Sequence, residues 1–500
     1  MKIVDMELSS SQMLSFFCVA NLIFVIPLML ADYLYIDDSW RTQSAGLGWA
    51  DSGRILVEWL YKGLSFTSAA PNIFPLPLLI CVVVMAFALR ALVVSFFLRP
   101  TLSSCFVVLP LWYSPYFLQS LSYQYDGPAM GLGVAAVIFS IAYKGRSLFS
   151  NIVVPAILLA VGLSFYQVVI NVYIGLVCIE RLMIAHDQQS LYVNLIRLRD
   201  RLLQLLVALL IYLATAFQLM TEERTAMRQF ADGWPVKLVA DLKLASQRVG
   251  LLYHEDNAWL CGLLILLAVA GFCIVVRGVL LSADRVSHKI IHCLLCICVV
   301  PVVLLSIPGI ALAFDYFNDE ARLMMGVSTL LVLILFLSYR ALRLIHVNGA
   351  LLLVVPLMAM LSFSYAHGRM LSLHKTLGES VARYLSYDLI SHADLRRVKV
   401  FYMVRNSTKG WLVGGDGTMS ALPFMRYVVN MSFILLPEML PRIGGVNNVL
   451  SMEEKKFRSV SVRCQENIIV ANKFYDVCTV GESGYVVMKL MDLGDVYISQ

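Results

Sequence analysis

Asp37 and Asp38 stand side by side in Tyr35-Ile-Asp-Asp-Ser-Trp-Arg41, directly after the first long apolar stretch of the chain. Two arginines follow: Arg41 itself and, at the end of Gly48-Trp49-Ala-Asp-Ser-Gly-Arg54, Arg54. A carboxylate can take a proton from a hydroxyl, and a guanidinium can hold a phosphate through two parallel N–H donors. Acid beside base at the mouth of a membrane helix suits a reaction between an anionic lipid carrier and a hydroxyl. The competing reading is a solvated loop whose charges only mark the edge of the bilayer. Tyr123, Asp126, Tyr166, Gln167, Asp319, Glu320 and Arg322 also fall at the ends of apolar segments. Charge at membrane depth is costly, so groups that face a cavity there are functional candidates. Their shared face matters more than any single motif.

The elements that must position these residues are membrane helices. Of 500 residues, 59% are hydrophobic and 14% charged, whereas a soluble globular chain carries about 25% charged residues. The chain reads as a polytopic α-helical membrane protein. Its formal charge of +6 calls for no nucleic-acid partner, because basic residues that fix topology at the inner face account for it.

About 20 apolar residues cross a bilayer, and the hydropathy yields about 11 spans. The first is Gln12–Leu30. Ser103–Leu121 is the third, and Asn151–Ala185 holds two spans that meet around Ser164-Phe-Tyr166-Gln167. The last, about Gly349–Tyr365, delivers the remainder to the outer side. Unpaired basic residues such as Lys144, Arg146, Arg197, Arg199 and Arg201 mark inner loops, while outer loops pair arginine with carboxylates. Residues 1–366 thus form a transmembrane domain with outer loops at 31–72, 221–257 and 308–322. Asp51–Phe66 reads as a short surface helix whose apolar contacts are Trp49, Leu56, Trp59 and Leu60. Asp126 can cap span four, and Arg322 can pair with Asp319. Residues 367–500 turn globular, with a helix at Ser372–His392 and strands at Val398–Val404, Ile468–Val470 and Tyr485–Lys489. That tail is a small periplasmic α/β domain. Its two cysteines, Cys464 and Cys478, pair if it faces an oxidising compartment. No His/Cys metal spacing, Walker loop or G-x-S-x-G elbow occurs, and the reading includes no metal and no cofactor.

Ile36-Asp-Asp-Ser-Trp-Arg41, Gly48-Trp49-Ala-Asp-Ser-Gly53-Arg54, and Ser164-Phe-Tyr166-Gln167 with Asn171 resemble the serotype-converting O-antigen glucosyltransferases of the Gtr type, GtrII-like proteins encoded by phages of enteric bacteria. The resemblance covers most of the membrane part and little of the tail. It implies a GT-C-like enzyme of the bacterial inner membrane that works on the periplasmic side. The implied donor is undecaprenyl-phosphate glucose and the acceptor a hydroxyl of the lipopolysaccharide O-antigen repeat. A small flippase and a donor-making synthase are the implied companions. In that scheme Asp37 or Asp38 is the base, and Arg41, Arg54 or Arg322 neutralises the leaving phosphate. Trp49, Tyr123, Asp126, Tyr166, Gln167 and Glu320 are the candidate substrate contacts. A flippase for a lipid-linked sugar and an O-antigen polymerase are the alternatives. A flippase predicts charges at mid-membrane and paired broken helices, and a polymerase predicts large outer loops between spans.

Overall fold

Long apolar segments become long helices here, some with a proline inside (Pro27, Pro155, Pro301), whereas the segment after Thr101 is broken at Pro110 and Pro115. The computed structural model describes residues 7–187, 189–221, 226–228, 233–282, 285–346, 348–404, 412–429 and 437–489. The early helices are α1 (Ser10–Ala31), α2 (Asp38–Ser44), α3 (Ile55–Ser65) and α4 (Leu76–Phe96). The central ones are α5 (Leu102–Val108), α6 (Pro110–Tyr113), α7 (Phe117–Ser122), α8 (Asp126–Ala142), α9 (Leu148–Phe165) and α10 (Val169–His186). They are followed by α11 (Leu191–Ala214), α12 (Trp234–Gly250), α13 (Ala258–Leu281), α14 (Val286–Ser306), α15 (Gly326–Ile345) and α16 (Val354–Ser391).

Among the described residues, nine helices are long and apolar enough to cross a membrane, and Leu102–Tyr113 and Asp126–Ala142 are shorter apolar helices. The segment expected as span three is therefore not one helix. Proline has no backbone N–H and clashes with the preceding turn. Pro110 opens a new helix after α5, and Ser114, before Pro115, is driven to an extended ψ of 126°. Thr101 starts the segment, its side chain accepting the Ser104 N–H in a capping box. Residues 103–130 are buried without exception. Asn151–Ala185 does split in two, as α9 and α10, with Tyr166 and Gln167 in the link.

The chain forms two compact units, one of residues 1–27 and 47–365 and the other of 28–46 and 366–500. The first is the helical unit. In the second, a five-stranded sheet has the order β2-β1-β5-β4-β3. Its strands are β1 (Val400–Val404), β2 (Val449–Met452), β3 (Ile468–Ala471), β4 (Tyr475–Val480) and β5 (Ser483–Met488). β1 runs parallel to both β2 and β5, whereas β3, β4 and β5 are antiparallel. Gly481, at φ +64°, turns β4 into β5 in a two-residue hairpin. The span expected at Gly349–Tyr365, from Val354 on, and the helix expected at Ser372–His392 run together as one helix of 38 residues, Val354–Ser391. No proline falls between them, and Gly368 alone does not break a helix.

Cys464, on a short helix at Ser461–Glu466, is bonded to Cys478 on β4, with Cα atoms 5.3 Å apart. A closed loop of this size stabilises by about 3 kcal/mol in the chain-entropy picture. A membrane-impermeant maleimide applied to intact cells should label these two positions only after reduction. Labelling without reduction, or only in broken cells, would be inconsistent with a disulfide in an outward-facing tail.

Candidate active site

In the helical unit the site is built from loop ends held by buried polar contacts. The loop before α3 is pinned by Glu58, whose Oε1 accepts the N–H groups of Gly48 (3.2 Å) and Ala50 (3.0 Å). Burial opposes ionisation of Glu58, yet the Ala50 and Gly48 N–H groups and Lys62 outweigh it and hold the carboxyl below its ordinary value. Gly53 closes the loop at φ +70°, where a Cβ would lie 2.6 Å from the Tyr212 hydroxyl. The next residue is Arg54.

Asp126, the first residue of α8, makes no side-chain cap bond to its own helix. Instead its Oδ1 accepts the Trp49 indole N–H at 3.0 Å and lies 3.5 Å from Arg54 Nη1. Trp49 is buried and stacks on Tyr61 at 5.5 Å, so it is not the membrane-surface contact expected of it. α3 buries Val57, Glu58 and Tyr61 and leaves Trp59 exposed. Gln167 ties the same loop from another side. Its Oε1 accepts the Arg54 Nε–H at 3.3 Å, while its Nε2 donates to Ser52 O (2.7 Å) and the Tyr212 hydroxyl (2.9 Å).

Tyr166 lies under one guanidinium and against the backbone of the residue that carries another. Arg54 Cζ lies 4.7 Å over its ring, and its hydroxyl donates to the Arg322 carbonyl at 3.5 Å. Burial raises the Tyr166 pKa against the lowering effect of Arg322 and Arg54, so the phenol stays a proton donor. Arg322 donates through Nη1 to the Tyr123 hydroxyl (2.9 Å) and pairs through Nε with Glu320 (2.6 Å). Its backbone N–H reaches Gln119 Oε1 at 2.8 Å. Burial works against its charge, but the Tyr123 and Tyr166 oxygens and the Glu320 and Asp126 carboxylates raise the guanidinium pKa above its ordinary value. The partner expected from the sequence, Asp319, instead pairs with Arg248 at 2.6 Å. The loop carrying Arg322 is anchored by Asn171, whose Oδ1 accepts the Ile310 N–H at 3.0 Å.

Eight residues singled out in the sequence therefore converge in this unit: Trp49, Arg54, Tyr123, Asp126, Tyr166, Gln167, Glu320 and Arg322. Among the described residues, the Nη2 groups of Arg54 and Arg322 hold no hydrogen bond. Two guanidiniums with donors to spare near a protonated phenol can bind a phosphate and stabilise charge that develops on it. Glu58, Gln119 and Tyr212, which hold this arrangement, carried no signal in the sequence beyond being polar in apolar surroundings.

Asp37, Asp38 and Arg41 belong to the second unit. Asp38 is fully buried and its Oδ2 accepts the Tyr35 N–H at 3.0 Å. The Tyr35 hydroxyl donates to the carbonyls of Val428 and Val429 at 3.2 Å. Ile36 is held at φ +47°, a left-handed conformation costly for a β-branched residue and found chiefly where surroundings impose it, often at functional sites. Arg41 is buried, lies over the Trp40 ring at 4.5 Å and donates to Gly46 O at 3.4 Å.

No solved structure matches the chain. An uncharacterized 55.3 kDa protein in the gtrB 5′ region of Salmonella phage P22 is 30% identical over 162 residues, 32% of this chain and 33% of that protein. The chain thus spans a third of the length of that relative. Residues 26–363 match the family described as glucosyl transferase GtrII, a stretch that contains every candidate residue named above except the two cysteines. The chain belongs to the GtrII glucosyltransferase family.

Proposed function

We propose that this protein moves glucose from undecaprenyl-phosphate glucose to a hydroxyl of the O-antigen repeat, on the periplasmic side of the bacterial inner membrane, and so converts serotype. The observation that carries the reading is the pair of arginines, Arg54 over the Tyr166 ring and Arg322 on the Tyr123 hydroxyl, each with its Nη2 uncommitted. In this reaction Asp37 or Asp38 takes the acceptor hydroxyl proton, and the acceptor oxygen bonds the anomeric carbon from the face opposite the phosphate. The carbon–oxygen bond to phosphate breaks, and its electron pair leaves on undecaprenyl phosphate. A phosphate diester thereby becomes a monoester with one more negative charge, which fixed guanidiniums stabilise without proton transfer. Arg41 is the third candidate for that work. Displacement from the opposite face inverts the anomeric carbon.

The enzyme fits a GT-C-like plan, with the flippase and donor synthase as partners that supply the donor. The test is a membrane assay with radiolabelled polyprenyl-phosphate glucose. Label moving into lipopolysaccharide supports transfer. Label that changes leaflet without transfer would favour a flippase, and growth of chain length without label would favour a polymerase.

A further inference from the structure

A cavity opens away from the candidate active site. It lies at the other end of α10. Gln167 precedes that helix and Glu180 falls in its last turns, which at 1.5 Å per residue separates them by about 20 Å. Two adjoining lobes of about 220 Å³ and 320 Å³ share Ser95, Lys144, Glu180 and Arg197 as walls. One lobe is completed by apolar side chains that include Phe96, Leu98 and Ile184, the other by Arg201 and Gln204.

The charge around this cavity does not balance. The buried Glu180 carboxylate receives Arg181 Nη2 at 2.5 Å, Arg201 Nη2 at 2.9 Å and Nε at 3.0 Å, and has Arg197 Nη1 at 4.0 Å. One carboxylate thus faces three guanidiniums. The two other acids on the cavity wall do not restore neutrality. Asp200 is taken by Arg199 at 2.7 Å, and Asp187 faces Arg340 as well as Arg197. Among the described residues Lys144 makes no ion pair, and Arg197 makes one, the 4.0 Å contact with Glu180. Arg181 Nε is buried without a hydrogen-bond partner. Uncompensated charge at the end of a membrane helix costs several kcal/mol, and a headgroup phosphate is the anion present in quantity at that depth.

We propose that this cavity binds the phosphate of an anionic glycerophospholipid, held by Lys144 and Arg197 in the field of Arg181 and Arg201. The apolar lobe takes the start of the acyl chains. The site is independent of the glucosyl-transfer reading, since none of its residues belongs to the candidate active site.

The test is thermal unfolding of the full-length protein in neutral detergent, titrated with phosphatidylglycerol, phosphatidylcholine or inorganic phosphate. Phosphatidylglycerol should raise the transition saturably, and phosphatidylcholine should not. The double variant Lys144→Gln with Arg197→Gln should need about tenfold more phosphatidylglycerol for the same shift, as expected on losing charge-assisted hydrogen bonds. Lys243→Gln, a substitution on α12, should titrate like the wild type. Should the double variant not fold, Lys144→Gln alone, at an exposed position, is read by native mass spectrometry as lost copurified phosphatidylglycerol. An unchanged titration or unchanged retention overturns the proposal. Inorganic phosphate that matches the phosphatidylglycerol shift overturns the lipid as ligand.

Discussion

Asp38→Asn is expected to lower glucosyl transfer by about 10²–10⁴, the usual loss when a positioned base is removed, at a normal amount of protein in the membrane. The asparagine amide keeps an oxygen that can accept the Tyr35 N–H, so the entry to α2 survives while the proton acceptor does not. Asp37→Asn is the companion measurement. Asp37 occupies the N-cap of α2 without a side-chain cap bond and is half-buried. The variant that loses transfer identifies the base. Full activity in both would remove this pair from the chemistry.

Arg322→Lys is expected to lower transfer by about 10–10²-fold, and Arg322→Ala by about 10²–10³, the range for removing one donor aimed at developing charge. The guanidinium uses Nε on Glu320 and Nη1 on Tyr123, and these bonds orient the group. An ammonium cannot make both and still offer a planar fork to phosphate. Arg54→Lys should behave alike, because Nε is spent on Gln167 and Nη1 on Asp126. The measurement is initial rate against donor concentration in membranes. Lysine variants with wild-type rate and wild-type apparent affinity would place the phosphate elsewhere.

The eight residues that the helical unit brings together stand out in the sequence as groups at the ends of apolar runs, where burial demands a reason; Asp37, Asp38 and Arg41 stand out on the same ground and belong to the other unit. The partners of the eight were not legible. Asp126 before Gly127-Pro128 reads as a helix cap, and only the fold turns it toward Trp49 and Arg54. Arg322 has Asp319 and Glu320 within reach along the chain, and Arg248, more than 70 residues away, decides between them by taking Asp319. Trp49 looks like a membrane anchor until Tyr61 stacks on it. Helices were predictable where hydropathy is continuous. They failed where Pro110 and Pro115 cut a run of sufficient length, because a hydropathy average does not register a missing N–H.

That cut segment has a further consequence. Residues 103–130 are enclosed by protein along their whole length, and Gln119, Tyr123 and Asp126, which fix Arg322, Arg54 and Trp49, all lie on them. A helix that touches lipid must tilt or stretch when the bilayer thickens or thins. A segment surrounded by other helices does not feel the hydrocarbon at all. Mismatch then falls on the outer helices, and the geometry of the candidate site is insulated from the thickness of the membrane around it.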